Sequence, residues 1–358
     1  MKRVLEIDLI KVLALILMPM SHIFDELGNY YNLMNNIPQN YTEQLGILFM
    51  NIPTLFMICL GFGIVLSQNS TPEKLVKRGL FMFLAEAVLN LFRIILPHFT
   101  VSYYTGIPSY FKESFELFFM SDILLFAGFA FLFFALVKKL NLSNNFVLII
   151  GLFCTFVQTF IPHLSIQNVY LKYLTGYFIY VDESSFFPVI SWLIYPIIGY
   201  LLGQKLLETS YRTSFYLKIA LLALFIFVLT NIYLFFTNSM QARYYLFMEM
   251  GFQMDLFTTL IVSSISVMIL SLSHFIGKLF VNNKLKDLIS SISANVNSVY
   301  CIHWVLVKIL WAITIIFAFK IEYYSLFVIG FVIFVLSSML AHLRKFLIKK
   351  DKLVRYLS

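Results

Sequence analysis

Long apolar runs alternate with short polar breaks along the whole chain. Runs of about 20 residues, the length a helix needs to cross hydrocarbon, fall near 4–24, 48–67, 76–97, 115–137, 146–162, 187–207, 216–237, 253–276, 296–319 and 323–347. Backbone polar groups in lipid must be satisfied within the segment, so such runs cross as helices. The pattern predicts an all-α, polytopic membrane protein with about ten transmembrane helices. No Pro/Gly/Ser-rich linker, low-complexity tract or convincing internal repeat breaks it, so residues 1–358 read as a single membrane domain.

Composition sharpens this reading. With 60% hydrophobic residues, 40 Phe, 12% charged residues and a mean hydropathy of +0.86, the chain cannot present the polar surface of a water-soluble globule. Glu6, Asp8 and Lys11 interrupt any signal-peptide core, so the first helix is expected to stay in the mature protein. Lys and Arg mark topology. Lys74, Lys77 and Arg78, then Lys138 and Lys139, Lys205 and Arg212, and Lys278, Lys284 and Lys286 fall on one side. The tail adds Arg344, Lys345, Lys349, Lys350, Lys352 and Arg355 to that side. The opposite loop 25–47 has acids and no Lys or Arg, and later loops there carry single cations such as Lys112, Lys172, Arg243 and Lys320. The positive-inside rule predicts that both termini are cytoplasmic, and a multi-pass protein of the plasma membrane is expected.

The net charge of +8 does not indicate nucleic acid, because the cations form no basic domain with interleaved aromatics. Cys59, Cys154 and Cys301 sit singly in apolar runs without metal-ligand spacing, and no metal site is expected. The outer connections carry Tyr30, Tyr31, Asn32, Asn35, Asn36, Tyr41, Tyr103, Tyr104, Tyr110, Tyr170, Tyr173 and Tyr177. These residues suit either an interfacial aromatic belt or stacking on a sugar.

Ionisable groups inside the spans are the functional candidates. The first helix begins with Asp8 and Lys11, is apolar from Val12 to Met20, and ends on His22. Lys11 and His22 are eleven residues apart, which returns them to nearly the same face about 16 Å along the axis. His22 can act as a general base, with Asp25 or Glu26 orienting it, or as a helix-end residue paired with an acid. Asp8 and Lys11, at i,i+3, can pair with each other, and Lys11 can snorkel to the inner surface. Glu86, Asn90 and Arg93 share one face of the third helix, where Glu86 and Arg93 are expected to pair with each other or line a polar cavity. Lys308 lies mid-span in the ninth helix with His303, Trp304 and Trp311 nearby. Asp122 and Asp255 start helices and suit capping at least as well as catalysis. No Walker loop, GxGxxG, HExxH or GxSxG occurs. Read from these residues alone, the charges fit a transporter or a membrane-embedded transferase.

The first helix resembles the transmembrane acyltransferase superfamily, especially proteins like heparan-α-glucosaminide N-acetyltransferase and, more distantly, the acyltransferase-3 family. The resemblance rests on Arg3, Ile7-Asp8, Lys11, Leu15-Ile16-Leu17-Met18, His22 and Asp25. It continues in Leu55 to Gly61, Lys77-Arg78-Gly79-Leu80, Asp122-Ile123-Leu124, Phe187-Pro188-Val189-Ile190-Ser191-Trp192-Leu193 through Gly199, and Val299-Tyr300-Cys301-Ile302-His303. Departures are Lys11 where those families have Arg, Val12 where they have a small residue, and Asn90 with Arg93 where paired cations are sometimes seen. Lysine lacks the planar fork of arginine.

What the resemblance implies is acyl transfer from cytoplasmic acyl-CoA, acetyl-CoA in the first instance, to a sugar, glycan or lipid-linked sugar on the outer side. Acetyl-CoA is then a donor substrate, with no bound cofactor. Lys74, Lys77 and Arg78 would meet the CoA phosphates. The pantetheine arm would follow a polar path lined by Lys11, Arg93 and Lys308, with Asp8, Glu86, Asn90 and His303 among its polar groups. His22, with Asp25, would deprotonate the acceptor, which either attacks the thioester directly or receives the acyl group from an acyl-enzyme. Membrane lipid surrounds the protein, and the sequence leaves an oligomer open. The rival readings are a transporter or flippase for a sugar- or lipid-linked substrate, and a non-catalytic receptor built on the same scaffold.

Overall fold

The computed structural model describes residues 3–28, 39–68, 70–161, 166–181, 185–237, 254–280, 282–319 and 321–357, without the side chains of 28, 39–50, 323, 324 and 349–357. Tyr30, Tyr31, Asn32, Asn35, Asn36, Arg243 and Lys320 lie outside the described residues, as do the side chains of Tyr41, Lys349, Lys350, Lys352 and Arg355. The described residues form helices and no strand. In order these are α1 (Leu5–Ile23), α2 (Gln39–Leu66), α3 (Pro72–Asn90), α4 (Leu96–Thr105), α5 (Pro108–Leu117), α6 (Ile123–Lys139), α7 (Asn144–Phe160) and α8 (Val169–Gly176). They continue with α9 (Val189–Trp192), α10 (Ile194–Glu208), α11 (Arg212–Phe236), α12 (Leu256–Leu279), α13 (Asn283–Ala294), α14 (Val296–Phe317) and α15 (Tyr323–Leu357).

Seven helical segments among the described residues are long and apolar enough to cross a membrane: Leu5–Leu27, Pro72–Thr105, Val189–Glu208, Arg212–Phe236, Leu256–Leu279, Val296–Phe317 and Ser325–Ile348. The other three runs in the sequence appear as the shorter apolar stretches Asn51–Leu66, Asn144–Phe160 and Ile123–Lys139. Helix starts follow local rules. Ser143 accepts the Phe146 N–H at 3.3 Å, Asp122 accepts that of Ile123 at 2.6 Å, and Asp255 accepts that of Thr258 at 2.7 Å. Both aspartates thus cap their helices. Among the described residues, two π-helical turns interrupt the α geometry, Phe24–Gly28 directly after α1 and Leu91–Ile95 directly after α3. Such turns re-aim side chains and recur at functional sites.

The chain forms two compact units, one of Met1–Ile10, Gly46–Val88 and Phe115–Leu279, the other of Lys11–Leu45, Leu89–Ser114 and Phe280–Ser358. In the first unit α11 packs along α12, and α7 packs against α9 and α10. Phe134, Ile64, Leu75, Val147 and Ile197 form a buried core there. Buried hydroxyls pair rather than face lipid: Thr54 Oγ1 lies 2.8 Å from Ser266 Oγ, which donates to Asn51 Oδ1 at 3.3 Å. In the second unit α14 packs on α15, on α4 and on both π turns.

Small residues let α2 and α10 approach closely, as expected where lipid provides no hydrophobic drive between helices. A Cβ on Gly199 would run into the Ile58 carbonyl, and one on Gly61 into the Pro196 carbonyl. Gly199→Ala and Gly61→Ala should therefore each cost about 3 kcal/mol or more. Gly63, two residues from Gly61, has open space around an added Cβ, and Gly63→Ala should be tolerated. Thermal unfolding in detergent checks this contrast; equal midpoints for the three variants would refute the close crossing.

Candidate functional site

The second unit gathers two tryptophans, three imidazoles and two cations. Trp304 and Trp311 are seven residues apart on α14, two turns along one face. The His22 ring, at the end of α1, stacks on Trp304 with centroids 3.8 Å apart and 28° between planes. The His303 ring lies 5.5 Å from His22 and nearly parallel to it, at 16°. Arg93, from the π turn after α3, places its guanidinium carbon 4.9 Å from the centre of the Trp304 ring. Its Nε donates to Asn90 Oδ1 at 2.7 Å. The Trp304 indole N–H donates to the Tyr300 hydroxyl at 3.0 Å, which fixes the ring in its plane.

One level along α14, Lys308 Nζ lies 2.6 Å from Glu26 Oε1 and 5.2 Å from the Trp311 ring centre. His98 of α4 packs against Trp311 at 4.5 Å. Its Nδ1 sits 2.8 Å from the Ile94 carbonyl, which makes Nδ1 the protonated nitrogen and Nε2 the lone-pair nitrogen. Tyr110 of α5 meets the Trp311 ring edge-on at 6.1 Å. Arg93, Asn90, His98 and His303 are buried. The cations are held by aromatic faces and hydrogen bonds in a poorly hydrated setting, where oriented positive charge stabilises a developing oxyanion most strongly.

His22, Asn90, Arg93, His303 and Lys308, candidates from the sequence, lie together in this unit. Other candidates behave differently. Asp25 Oδ2 lies 4.0 Å from His22 Nδ1 and its side chain is 62% exposed, so it makes no hydrogen bond to the imidazole. Glu26 turns to Lys308 instead of His22. Asp8 does not pair with Lys11: Arg3, five residues earlier, donates its Nε to Asp8 Oδ2 at 2.6 Å, and its planar guanidinium suits a carboxylate. Lys11 is half-buried and takes no part in the cluster. Glu86 is buried in the first unit. Burial first, then the Glu86 carboxylate and Tyr173, push the Tyr177 hydroxyl up to about 12. Lys74 and Lys77 are exposed and Arg78 half-buried on the first turns of α3, in the first unit. Lys138 Nζ reaches the same end of α3, donating to the Ser70 carbonyl at 2.9 Å.

Sequence reasoning missed His98, the ring roles of Trp304 and Trp311, and the Glu26–Lys308 pair. The Trp-x6-Trp spacing with Lys308 between was the available signal. It also missed a cluster in the first unit, where His274 Nδ1 lies 3.5 Å from the buried Glu6 Oε1 and Nη1 of the exposed Arg212 lies 3.9 Å from it. The Tyr216 ring stacks on His274 there at 4.4 Å. Among the described residues, no group of three or more His, Cys, Asp or Glu is placed to hold a metal ion.

The family model for the acyltransferase domain of the acyltransferase-3 type matches residues 4–343. Comparison with curated proteins and with solved structures gave no match.

Proposed function

The chain belongs to the acyltransferase-3 family, and from that membership we propose that it moves an acetyl group from cytoplasmic acetyl-CoA to a hydroxyl or amine of an extracytoplasmic sugar, glycan or lipid-linked sugar. The observation that carries the reading is His22 stacked on Trp304 beside His303 and Arg93. His22 takes the acceptor proton, and the freed oxygen or nitrogen attacks the thioester carbon. Arg93 and Lys308 supply positive charge for the oxyanion. The C–S bond then breaks, the electron pair leaves on the CoA sulfur, and the acyl group stays on the acceptor. The exposed Lys74 and Lys77 and the half-buried Arg78 bind the CoA phosphates at a helix start, where backbone N–H groups also favour anions. Lys11 marks the inner end of the path. The protein works in the plasma membrane with its termini in the cytoplasm, surrounded by lipid.

Purified protein given radiolabelled acetyl-CoA should label an acceptor fraction or itself. A protein that neither binds CoA nor transfers label would refute the enzyme reading and favour the transporter.

A further inference from the structure

Helix α13 carries an apolar sector that the protein leaves uncovered. Its 12 residues, Asn283–Ala294, end one residue before the membrane-length segment Val296–Phe317 begins, and both belong to the second unit. Two bonds fix its course against α15. Ser291 Oγ lies 2.7 Å from His342 Nε2, and Arg344 Nη1 donates to Ser298 Oγ at 2.8 Å. If α13 continued the axis of α14, Ser291 would stand about 10 Å beyond Ser298 and would meet α15, which returns after a short connection, well past Arg344. It meets His342 instead, which precedes Arg344. The chain therefore turns at Asn295, and α13 runs across the end of α14. In the proposed orientation that end faces the cytoplasm, so α13 lies in the inner surface of the bilayer.

The faces of α13 divide by chemistry. Ile289 and Ser293, one turn apart, are buried against the protein. Leu285, Leu288 and Ile292 form an apolar sector turned about a quarter of the circumference from that buried face. Leu288 is 54% exposed and Leu285 38%. Packing within the protein leaves them bare, whereas acyl chains at the headgroup boundary would cover them. Lys284 and Lys286 stand on the two flanks of the sector, and Asp287 lies on the opposite side of the helix. Neither lysine has an ion-pair partner among the described residues. Arg344 and Lys345, exposed within one turn of His342, add two cations on α15. Four cations against one carboxylate thus border an apolar strip at a membrane surface, a pattern that gathers anionic headgroups. Lysine stems lie along apolar surface while their ammonium groups reach the phosphates.

We propose that α13, with the adjoining turn of α15, is a binding surface for anionic phospholipid, with acyl chains against Leu285 and Leu288 and headgroup phosphates beside Lys284 and Lys286. The test is native mass spectrometry of delipidated full-length protein titrated with phosphatidylglycerol and with phosphatidylcholine of the same acyl chains. It reads lipid binding alone, so its outcome is independent of acyl transfer. The wild type should bind phosphatidylglycerol in clear preference. Lys284→Gln combined with Lys286→Gln should weaken the tightest phosphatidylglycerol binding about twentyfold, about fivefold for each cation near the surface, and leave phosphatidylcholine unchanged. Lys112→Gln with Lys172→Gln, which removes as many cations from other connections, should keep the preference. Leu285→Ser with Leu288→Ser should weaken both lipids, and inorganic phosphate should not displace phosphatidylglycerol. Equal binding of the two lipids by the wild type, wild-type affinity in the Lys284/Lys286 or the Leu285/Leu288 variant, or an equal loss in the Lys112/Lys172 control would overturn the proposal. Displacement by inorganic phosphate would overturn it too, since the surface would then take the free anion.

Discussion

Replacing His22 with Gln should lower kcat by about 10²–10⁴-fold, the usual contribution of a positioned general base, while acyl-CoA affinity and stability stay near wild type. The side chain is 20% exposed at a helix end and contributes to packing through its stack on Trp304. Loss of that stack is worth about 0.5–1.5 kcal/mol, too little to unfold the protein. A purely structural imidazole makes the opposite forecast, with a lower unfolding midpoint and normal turnover per folded molecule. Single-turnover transfer from acetyl-CoA, run beside thermal unfolding, separates the two. Full activity in His22→Gln would sink the proposed mechanism.

Trp304 should matter more to His22 than Asp25 does. The indole lies against the imidazole face, is pinned by its N–H to Tyr300, and carries Arg93 on the same ring system. Asp25 stands at 4.0 Å and in the open, where a loose ion pair is worth about 0–1 kcal/mol. Trp304→Leu should thus reduce kcat by about 10²-fold, the penalty of misplacing a reacting group by about 1 Å, with little change in the KM for acetyl-CoA. Trp304→Phe, which keeps a stacking face, should recover most of that loss. Asp25→Asn should stay within about threefold of wild type. Steady-state kinetics on the three variants decide the matter. Inactive Asp25→Asn beside active Trp304→Leu would return the orienting role to the carboxylate.

The comparison of sequence with structure turns on how far apart the interacting residues lie in the chain. The apolar runs identified the helical segments because hydrocarbon leaves the backbone no other way to satisfy its polar groups within one segment. The capping roles of Asp122 and Asp255 were legible too, since a cap joins neighbours in sequence. The shared face of Asn90 and Arg93, three residues apart, was legible, and Arg93 donates to Asn90 there. Family membership was also visible, carried by motifs that recur along most of the chain.

The rest required the tertiary structure. Periodicity assumed an unbroken α-helix, so it could not foresee the π turns at Phe24–Gly28 and Leu91–Ile95, which lie where Glu26 and Arg93 enter the cluster. Spacing suggested a local partner for Glu26, yet it takes Lys308 from 282 positions away, whereas Asp8 keeps a local partner in Arg3 rather than Lys11. His98 was not singled out in the sequence, and only the structure brings it against Trp311. The sequence by itself determined which segments are helices and which charges they carry into the bilayer, because burial and capping are decided locally. Only the tertiary structure decided which of those charges meet, because a side chain shielded from water takes whichever partner packing brings within reach, and sequence distance does not enter that choice.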